Sequence, residues 1–441
     1  MTVADVRLRW GTLIVAAAAA VTAVALLALS RGYTFYFDEW DFILAAPAWD
    51  WTSYLQPHNE HLVLIPRLVY AFLLNTAGLS TYVPYMAVLA VLHGLNAVLL
   101  FELVRKRAGD LVALGAAMLL LVLGAGWENL LWAFQIGFVG SVTCGLGALL
   151  TVQRRGRMAL AATVALTAAS LMFSGIGAFF ALAVAAFLVL TRERRRDLIW
   201  FAPLAILLAG WYLLYGRFGA APNPPPTLRT VALMPLYALW GLGEAAAGVI
   251  GEGGWWGPPA LVAAVALLAW SWWRRRPDTL ALGVAAALVA FYVVTGLTRA
   301  QLGYEQAGAG RYVYEGAVLW MILLAEAARG LPWRGTWRPA LAACLFLACF
   351  NSTALLIEFA SAKTLQMARA GADLQALDHA RGDPCLNPDA RVDAFVMPQV
   401  SSPYLYYRAV DRYGDPAPAL PVADRADYAQ ALTNLERTGC R

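Results

Sequence analysis

The sequence predicts an all-α protein that crosses a membrane many times. Hydrophobic residues make up 61% of the 441 residues and charged residues only 14%, which is too apolar for a protein whose surface faces water. Apolar runs of about 20 residues recur along the chain, and each is long enough to cross a hydrocarbon core as a helix. The short alternating segments that are typical of membrane β-barrels do not occur.

These runs predict eleven transmembrane helices. The first follows Arg7 and Arg9 and has no small-residue cleavage site after it, so we interpret it as a retained signal anchor. A further apolar stretch, 231–250, contains Pro235 and several glycines, which favour a re-entrant or surface helix. The eleven candidate spans are residues 11–30, 81–104, 109–125, 132–152, 158–173, 176–191, 198–215, 258–273, 279–297, 313–329 and 338–357.

Basic loops predict the orientation of the chain. Three of them fall on one side of the membrane if the N-terminus is cytoplasmic, as the positive-inside rule requires: 105–107, 154–157 and 192–196. If 231–250 crossed the membrane, the basic segments 274–276 and 329–338 would both lie outside. We therefore expect 231–250 not to cross. The chain is then a multi-pass protein of the bacterial inner membrane, with loop 31–80 and the C-terminus on the periplasmic side.

The change in composition near residue 360 predicts two domains. Residues 1–360 form a transmembrane domain, and residues 361–441, which gain Pro, Asp, Asn and Tyr, form a small soluble periplasmic domain. In the soluble domain we expect Cys385 and Cys440 to form a disulfide, with two free thiols in a cytosolic tail as the alternative. The external loops of the transmembrane domain are 31–80, 125–131, 216–257 and 298–312.

Three acidic residues stand at the start of the first external loop. Asp38, Glu39 and Asp41 lie among aromatic residues, a setting that raises the basicity of a carboxylate. Such a group suits a general base that deprotonates a hydroxyl acceptor. The alternative is an aromatic belt at the membrane surface, with the acids facing water.

The same loop continues with a second polar cluster. His58, Asn59, Glu60 and His61 are consecutive, and Arg67 follows. Imidazole and carboxylate ligands suit a divalent metal, although the spacing differs from the metalloprotease motif. A cluster that binds an anionic or sugar ligand is the favoured interpretation, and a structural turn is the third.

The next external segment combines aromatic, acidic and amide side chains. Trp127, Glu128, Asn129 and Gln135 lie at or within membrane depth, where polar groups usually face a cavity. Aromatic faces that stack and amides that hydrogen-bond are typical of a sugar pocket. The alternative is a tryptophan belt, with Gln135 bonded to a neighbouring helix.

The last external loop offers a cation for a phosphate. It contains Tyr304 and Glu305, and Arg311 with Tyr312 opens the following span. A guanidinium group binds phosphate through two parallel hydrogen bonds. The alternative is an arginine that extends to the membrane surface to keep its charge in water.

The predicted topology brings all four clusters to one face of the membrane. Acids for a base, aromatics and amides for a sugar, and arginine for a phosphate suit glycosyl transfer from a lipid-phosphate donor, with Arg67 or Arg311 stabilising the leaving phosphate. No nucleotide-binding motif occurs. The net charge of +5 comes from arginines at span ends, so no nucleic-acid partner is predicted.

These residues resemble the GT-C membrane glycosyltransferases, which include protein O-mannosyltransferases, aminoarabinose transferases and arabinofuranosyltransferases. Asp38 and Glu39 look like their acidic pair, and Arg311 with Tyr312 looks like the Arg-Tyr pair that opens a late span. The resemblance implies a GT-C bundle and an inverting transfer from a polyprenyl-phosphate sugar to a periplasmic glycan, lipid or protein. It also implies Asp38 as the prime candidate for the base, with Glu39 or Asp41 as residues that could share this role, and it leaves a divalent metal cofactor open.

Two other functions stay open at the level of the sequence. A transporter or flippase of lipid-linked sugars would use the polar groups at membrane depth as a pathway. A non-catalytic subunit of an envelope-glycan assembly complex would use the C-terminal domain to bind its partner. Ligation or polymerisation of lipid-linked glycans is closely related chemistry on the same face.

Overall fold

The computed structural model describes residues 2, 7–219 and 225–438. Within these residues every regular element is helical, and β-structure is limited to isolated bridges. The α-helices are α1 (Gly11–Leu29), α2 (Asp38–Ala45), α3 (Leu64–Thr76), α4 (Val83–Ala108), α5 (Asp110–Leu121), α6 (Glu128–Leu131), α7 (Ile136–Val152), α8 (Arg157–Phe173), α9 (Gly177–Leu190), α10 (Ala202–Leu214), α11 (Leu228–Gly248), α12 (Gly257–Arg274), α13 (Thr279–Arg299), α14 (Gly310–Ala328), α15 (Trp337–His379), α16 (Pro403–Tyr413) and α17 (Arg425–Asn434).

Many of these helices have the length and composition of membrane spans. Seven segments of the described chain are long and apolar enough to cross a bilayer: α1, α4, Ala133–Val152, Arg192–Phe218, α11, α13 and α15. Helices α3, α5, α8 and α9 are apolar but shorter. The predicted all-α polytopic membrane fold is therefore confirmed, while the number of eleven crossings stays a prediction.

The apolar stretch that we expected not to cross, 231–250, belongs to helix α11. With 21 residues, this helix is long enough to span a bilayer. In the first half of this helix, Met234 contacts Gly296, near the end of α13. In its second half, Gly248 contacts Val313, near the start of α14. Because one loop joins the end of α13 to the start of α14, both contacts lie at the same end of the bundle. This placement suits a helix that does not cross, and the assignment stays a prediction.

Helix α15 joins the bundle to the C-terminal region, residues 380–438. It is 43 residues long, about twice what one span needs. Where it leaves the bundle, the Tyr33 hydroxyl donates a hydrogen bond of 2.9 Å to its backbone. Farther on, α16 packs on α2, with the rings of Tyr406 and Trp40 5.6 Å apart. The C-terminal region therefore lies at the same end of the bundle as residues 31–80, which we call the loop end.

The predicted domain boundary, residue 360, falls inside α15, and the division into two domains stays a prediction. Cys385 is disulfide-bonded. Cys440 lies outside the described residues, so the pairing of these two cysteines also stays a prediction.

The predicted basic loops meet at the opposite end of the bundle. Arg107 forms an ion pair with Asp278, just before α13. Gly330, which follows α14, lies against the Arg275 guanidinium group. This grouping agrees with the alternation of basic and external loops that the sequence predicted. The side that faces the cytoplasm stays a prediction.

Candidate active site

A cavity of about 410 Å³ lies at the loop end of the bundle. Its wall combines the 31–80 loop, the segment before and at the start of α7, the junction of α8 and α9, the loop before α14, and the C-terminal region. Half of the predicted site residues line it: Asp38, Asp41, His58, Asn59, His61, Gln135, Arg311 and Tyr312. Segments far apart in the sequence therefore meet in one cavity.

Two of the three predicted acids face this cavity because they share one side of helix α2. Asp38 and Asp41 are three residues apart, a spacing that puts both side chains on one helix face. Asp38 accepts hydrogen bonds from Asn59 Nδ2 and Gln399 Nε2, each at 3.3 Å. Its Oδ2 atom also lies 3.9 Å from His58 Nε2. Asp38 is thus oriented from two sides and still faces the cavity.

The pKa of the Asp41 carboxyl group is raised. Its side chain is exposed toward the cavity, and the surrounding wall removes part of the water around the carboxyl group. This burial raises the pKa of Asp41 to about 6, and the Asp38 carboxylate raises it further, against an opposing effect of His58. A pKa near the working pH suits a group that takes and returns a proton.

Glu39 lies on the other side of α2 and is fully buried. It accepts hydrogen bonds from the Tyr70 hydroxyl at 2.6 Å, from the Tyr82 hydroxyl at 3.0 Å and from the Tyr36 backbone at 2.9 Å. Burial raises the pKa of Glu39 to about 7, although these hydrogen bonds lower it. Glu39 therefore anchors α2 and does not line the cavity.

The second polar cluster, residues 58–61, forms a tight turn, and three of its four side chains line the cavity. The backbones of His58 and His61 exchange two hydrogen bonds, of 3.0 and 2.9 Å. Between them, Asn59 and Glu60 have φ angles of 47° and 70°, a conformation that asparagine adopts more readily than glutamate. Burial lowers the pKa of His61 to about 4, helped by the nearby Arg299 charge, so this imidazole is neutral at pH 7. Glu60 is exposed and lies outside the cavity wall.

Three side chains of the cavity have the geometry to hold a divalent cation. One ligand atom each from Asp38, Asp41 and His58 lie within 4.8 Å of one another. Two carboxylates and an imidazole suit Mn²⁺ or Zn²⁺. His61 is not part of this group, because its ring packs against Gly175. The structure thus places the potential ligands differently from the His58 and His61 pair that the sequence suggested.

Two arginines also line the cavity. The Arg311 guanidinium group forms an ion pair of 3.0 Å with Glu128 and lies 5.2 Å from the centre of the Tyr312 ring. The Arg299 guanidinium group lies 5.6 Å from the same ring and also lines the cavity. Glu128 therefore orients Arg311. The neighbouring Asn129 donates a hydrogen bond of 2.9 Å to Glu315 and so fixes its own segment to α14.

The other predicted residues do not line the cavity. Arg67 is buried and donates hydrogen bonds to the backbone of Ser53 and Gln56. It braces the first loop and does not line the cavity, and its predicted contact with a leaving phosphate stays a prediction. Outside the cavity wall, Trp127 stacks on Phe359, Tyr304 packs on Trp240 and Glu305 is exposed.

Sequence reasoning missed part of the cavity wall. Arg299 had a visible signal, because it lies in the same external loop as Arg311. Gln399 had none, since its contact with Asp38 spans 361 residues. The aromatic part of the wall includes Trp132 and Phe134, whose rings stack at 5.5 Å. Apolar faces beside charged groups are suited to a sugar ring.

Comparison with solved structures shows a similar fold. No family model and no curated protein matches the chain. The structure of this chain is similar to the crystal structure of ArnT from Cupriavidus metallidurans bound to undecaprenyl phosphate, with 14% sequence identity and a TM-score of 0.51. The match covers 93% of this chain and 77% of the ArnT chain. This chain shares the fold of ArnT. The shared fold confirms the membrane bundle that the resemblance implied, and identity at this level shows the fold alone.

Proposed function

We propose that the chain is an inverting glycosyltransferase that moves a sugar from a polyprenyl-phosphate donor to a glycan, lipid or protein acceptor. The observation that carries this proposal is that Asp38, Asp41, Arg299 and Arg311 line the same cavity. A base and a phosphate site are the two charged elements that this reaction needs. ArnT, which shares the fold, was crystallised with undecaprenyl phosphate, and this supports a lipid-phosphate donor.

The proposed reaction is a displacement at the anomeric carbon of the donor sugar. Asp38 takes the proton of an acceptor hydroxyl, and the oxygen bonds to the anomeric carbon. The bond from that carbon to the phosphate oxygen breaks on the opposite face, and polyprenyl phosphate leaves with the electron pair. Arg299 and Arg311 stabilise the charge of the leaving phosphate. Asp41 assists Asp38 or holds a divalent cation with it and His58.

The location of the charged groups favours transfer over transport. A transporter usually carries ionisable groups near the middle of the bilayer. In this chain, the acids and arginines of the cavity all lie at the loop end. We propose that this end is periplasmic in an inner-membrane protein, as the basic loops at the opposite end support.

The proposal is tested by sugar transfer from a panel of radiolabelled polyprenyl-phosphate sugars into membranes. The wild type is compared with Asp38→Asn, and with Glu60→Gln as a control in the same loop but outside the cavity. We expect transfer by the wild type and the control, and loss of about 100-fold or more in Asp38→Asn. Equal transfer by Asp38→Asn would remove Asp38 from the reaction. No transfer from any donor would contradict the glycosyltransferase assignment.

A further inference from the structure

The C-terminal region reaches the cavity through a loop that is fixed on both sides. In this loop, the Val392 and Val400 backbones hydrogen-bond at 3.2 Å. Asp393 accepts hydrogen bonds from the backbone of the two residues that begin the turn, 395 and 396. Met397 and Val400 are fully buried. Gln399, between these anchors, is the residue that lines the cavity.

Only one of the two polar atoms of the Gln399 amide has a hydrogen-bond partner among the described residues. Its Nε2 atom donates to Asp38 Oδ1 at 3.3 Å. Its Oε1 atom is buried and accepts no hydrogen bond from the part of the chain that the structure describes. Buried polar atoms are nearly always hydrogen-bonded in native proteins. The free carbonyl oxygen therefore indicates a donor that is not part of the described chain.

Two further side chains of the same cavity show the same pattern. Gln135 is 3% exposed and Trp132 is 8% exposed, and both line the cavity. The Gln135 Oε1 atom and the Trp132 Nε1 atom are buried without a hydrogen-bond partner among the described residues. The side chains of the cavity wall thus include two uncharged acceptors and one uncharged donor that the described residues leave unpaired. A hydroxyl group donates and accepts, so a ligand with several hydroxyls has the complementary groups for all three atoms.

We propose that Gln399, Gln135 and Trp132 form a hydroxyl-binding subsite for the neutral sugar that is transferred, and that Gln399 also positions Asp38. This inference rests on the proposed glycosyl transfer and deepens it in two ways. It names an uncharged, hydroxyl-rich sugar as the substrate class. It also makes the C-terminal region part of the active site, since Gln399 connects the sugar to the base.

The substrate part of the inference is tested with deoxy sugars. Polyprenyl-phosphate arabinose, mannose and glucose are offered to the purified wild type in lipid nanodiscs, and deoxy analogues are made of the one that is transferred. We expect one deoxy analogue to react about 10-fold more slowly with the wild type. Gln399→Ala should lose this discrimination and react equally with both donors. A merely structural role of Gln399 would lower both rates and keep their ratio.

The positioning part is tested by comparing variants with one substrate. Gln399→Ala should lower kcat about 10-fold and raise the donor KM, and Gln399→Glu should lower kcat further, because it places a second carboxylate beside Asp38. Gln430→Ala is the control, since the exposed Gln430 side chain lies in the same region, does not line the cavity and donates to Asn434 of its own helix. The thermal midpoint of each variant shows whether it is folded.

The outcomes separate the inference from the proposed function. If the wild type transfers a sugar and Gln399→Ala behaves as Gln430→Ala does, the inference is wrong and the proposed function stands. Transfer of a charged sugar in preference to all neutral ones would also overturn the inference. If the wild type neither binds nor transfers any donor, both are rejected.

Discussion

The loop end of the molecule contains two layers that use the same residue types for different purposes. In the cavity layer, Asp38, Asp41 and Arg299 line the same open space. In the buried layer, Glu39 is enclosed by tyrosines and Arg67 by backbone carbonyls. The contrast shows that an acid or an arginine in this loop indicates function only when its partners leave it free to meet a ligand.

Helix α2 contains acids of both layers within a few residues. Asp38, Glu39 and Asp41 are equally acidic in the sequence, yet the helix turns the middle one toward Tyr70 and Tyr82. A substitution in the cavity layer should therefore affect the reaction and leave the fold intact. A substitution in the buried layer should affect stability first.

After Asp38, the largest effect is expected from Asp41, the cavity acid whose pKa is raised. Asp41→Asn should lower kcat/KM about 100-fold, because it removes a proton acceptor or cation ligand. In the wild type, protonation of Asp41 below about pH 6 should lower kcat/KM as the pH falls. The variant should lack this limb of the pH profile. A wild-type profile that is flat from pH 5 to 8 would contradict a role for Asp41 ionisation.

A smaller effect is expected when Arg299 of the cavity layer is compared with Arg67 of the buried layer. Arg299→Gln should raise the KM for the lipid-phosphate donor about 10- to 100-fold, since a charged hydrogen bond to phosphate is lost. Arg67→Gln should leave that KM unchanged and lower the thermal midpoint, because the carbonyls of residues 53 and 56 lose their donor. The comparison fails if Arg67→Gln changes donor binding more than Arg299→Gln does.

The sequence predicted the fold well because hydrophobic length determines it. Runs of about 20 apolar residues have few alternatives to membrane helices. The same reasoning located the 31–80 loop as the main source of cavity residues, since acids and histidines clustered there. Its limits are clear at Glu39, whose partners Tyr70 and Tyr82 lie 31 and 43 residues away. No local pattern shows which of three neighbouring acids such partners bury.

The spacing of the three acids in α2 indicates which of them share a helix face. Had residues 38–45 been predicted as a helix, positions 38 and 41 would have shared one face, with position 39 on another. Gln399 offered no comparable signal, because a single glutamine in a polar loop is ordinary. Its place beside Asp38 depends on α15 leaving the bundle and on α16 packing against α2, which are tertiary events.

The smallest effect on catalysis is expected from Glu39, the acid of the buried layer. Its pKa of about 7 in the folded protein lies above that of an unfolded glutamate, so the folded state prefers the protonated carboxyl. Stability should therefore be greatest below about pH 5 and decrease as the pH rises through 7, by about 3 kcal/mol. Glu39→Gln resembles the protonated acid and should lack this decrease, with kcat changed less than about threefold. Thermal unfolding of both proteins at pH 5 and pH 8 measures the difference. The two-layer description would be wrong if Glu39→Gln abolished transfer while its pH dependence of unfolding matched the wild type, since Glu39 would then belong to the reaction and not to the support beneath it.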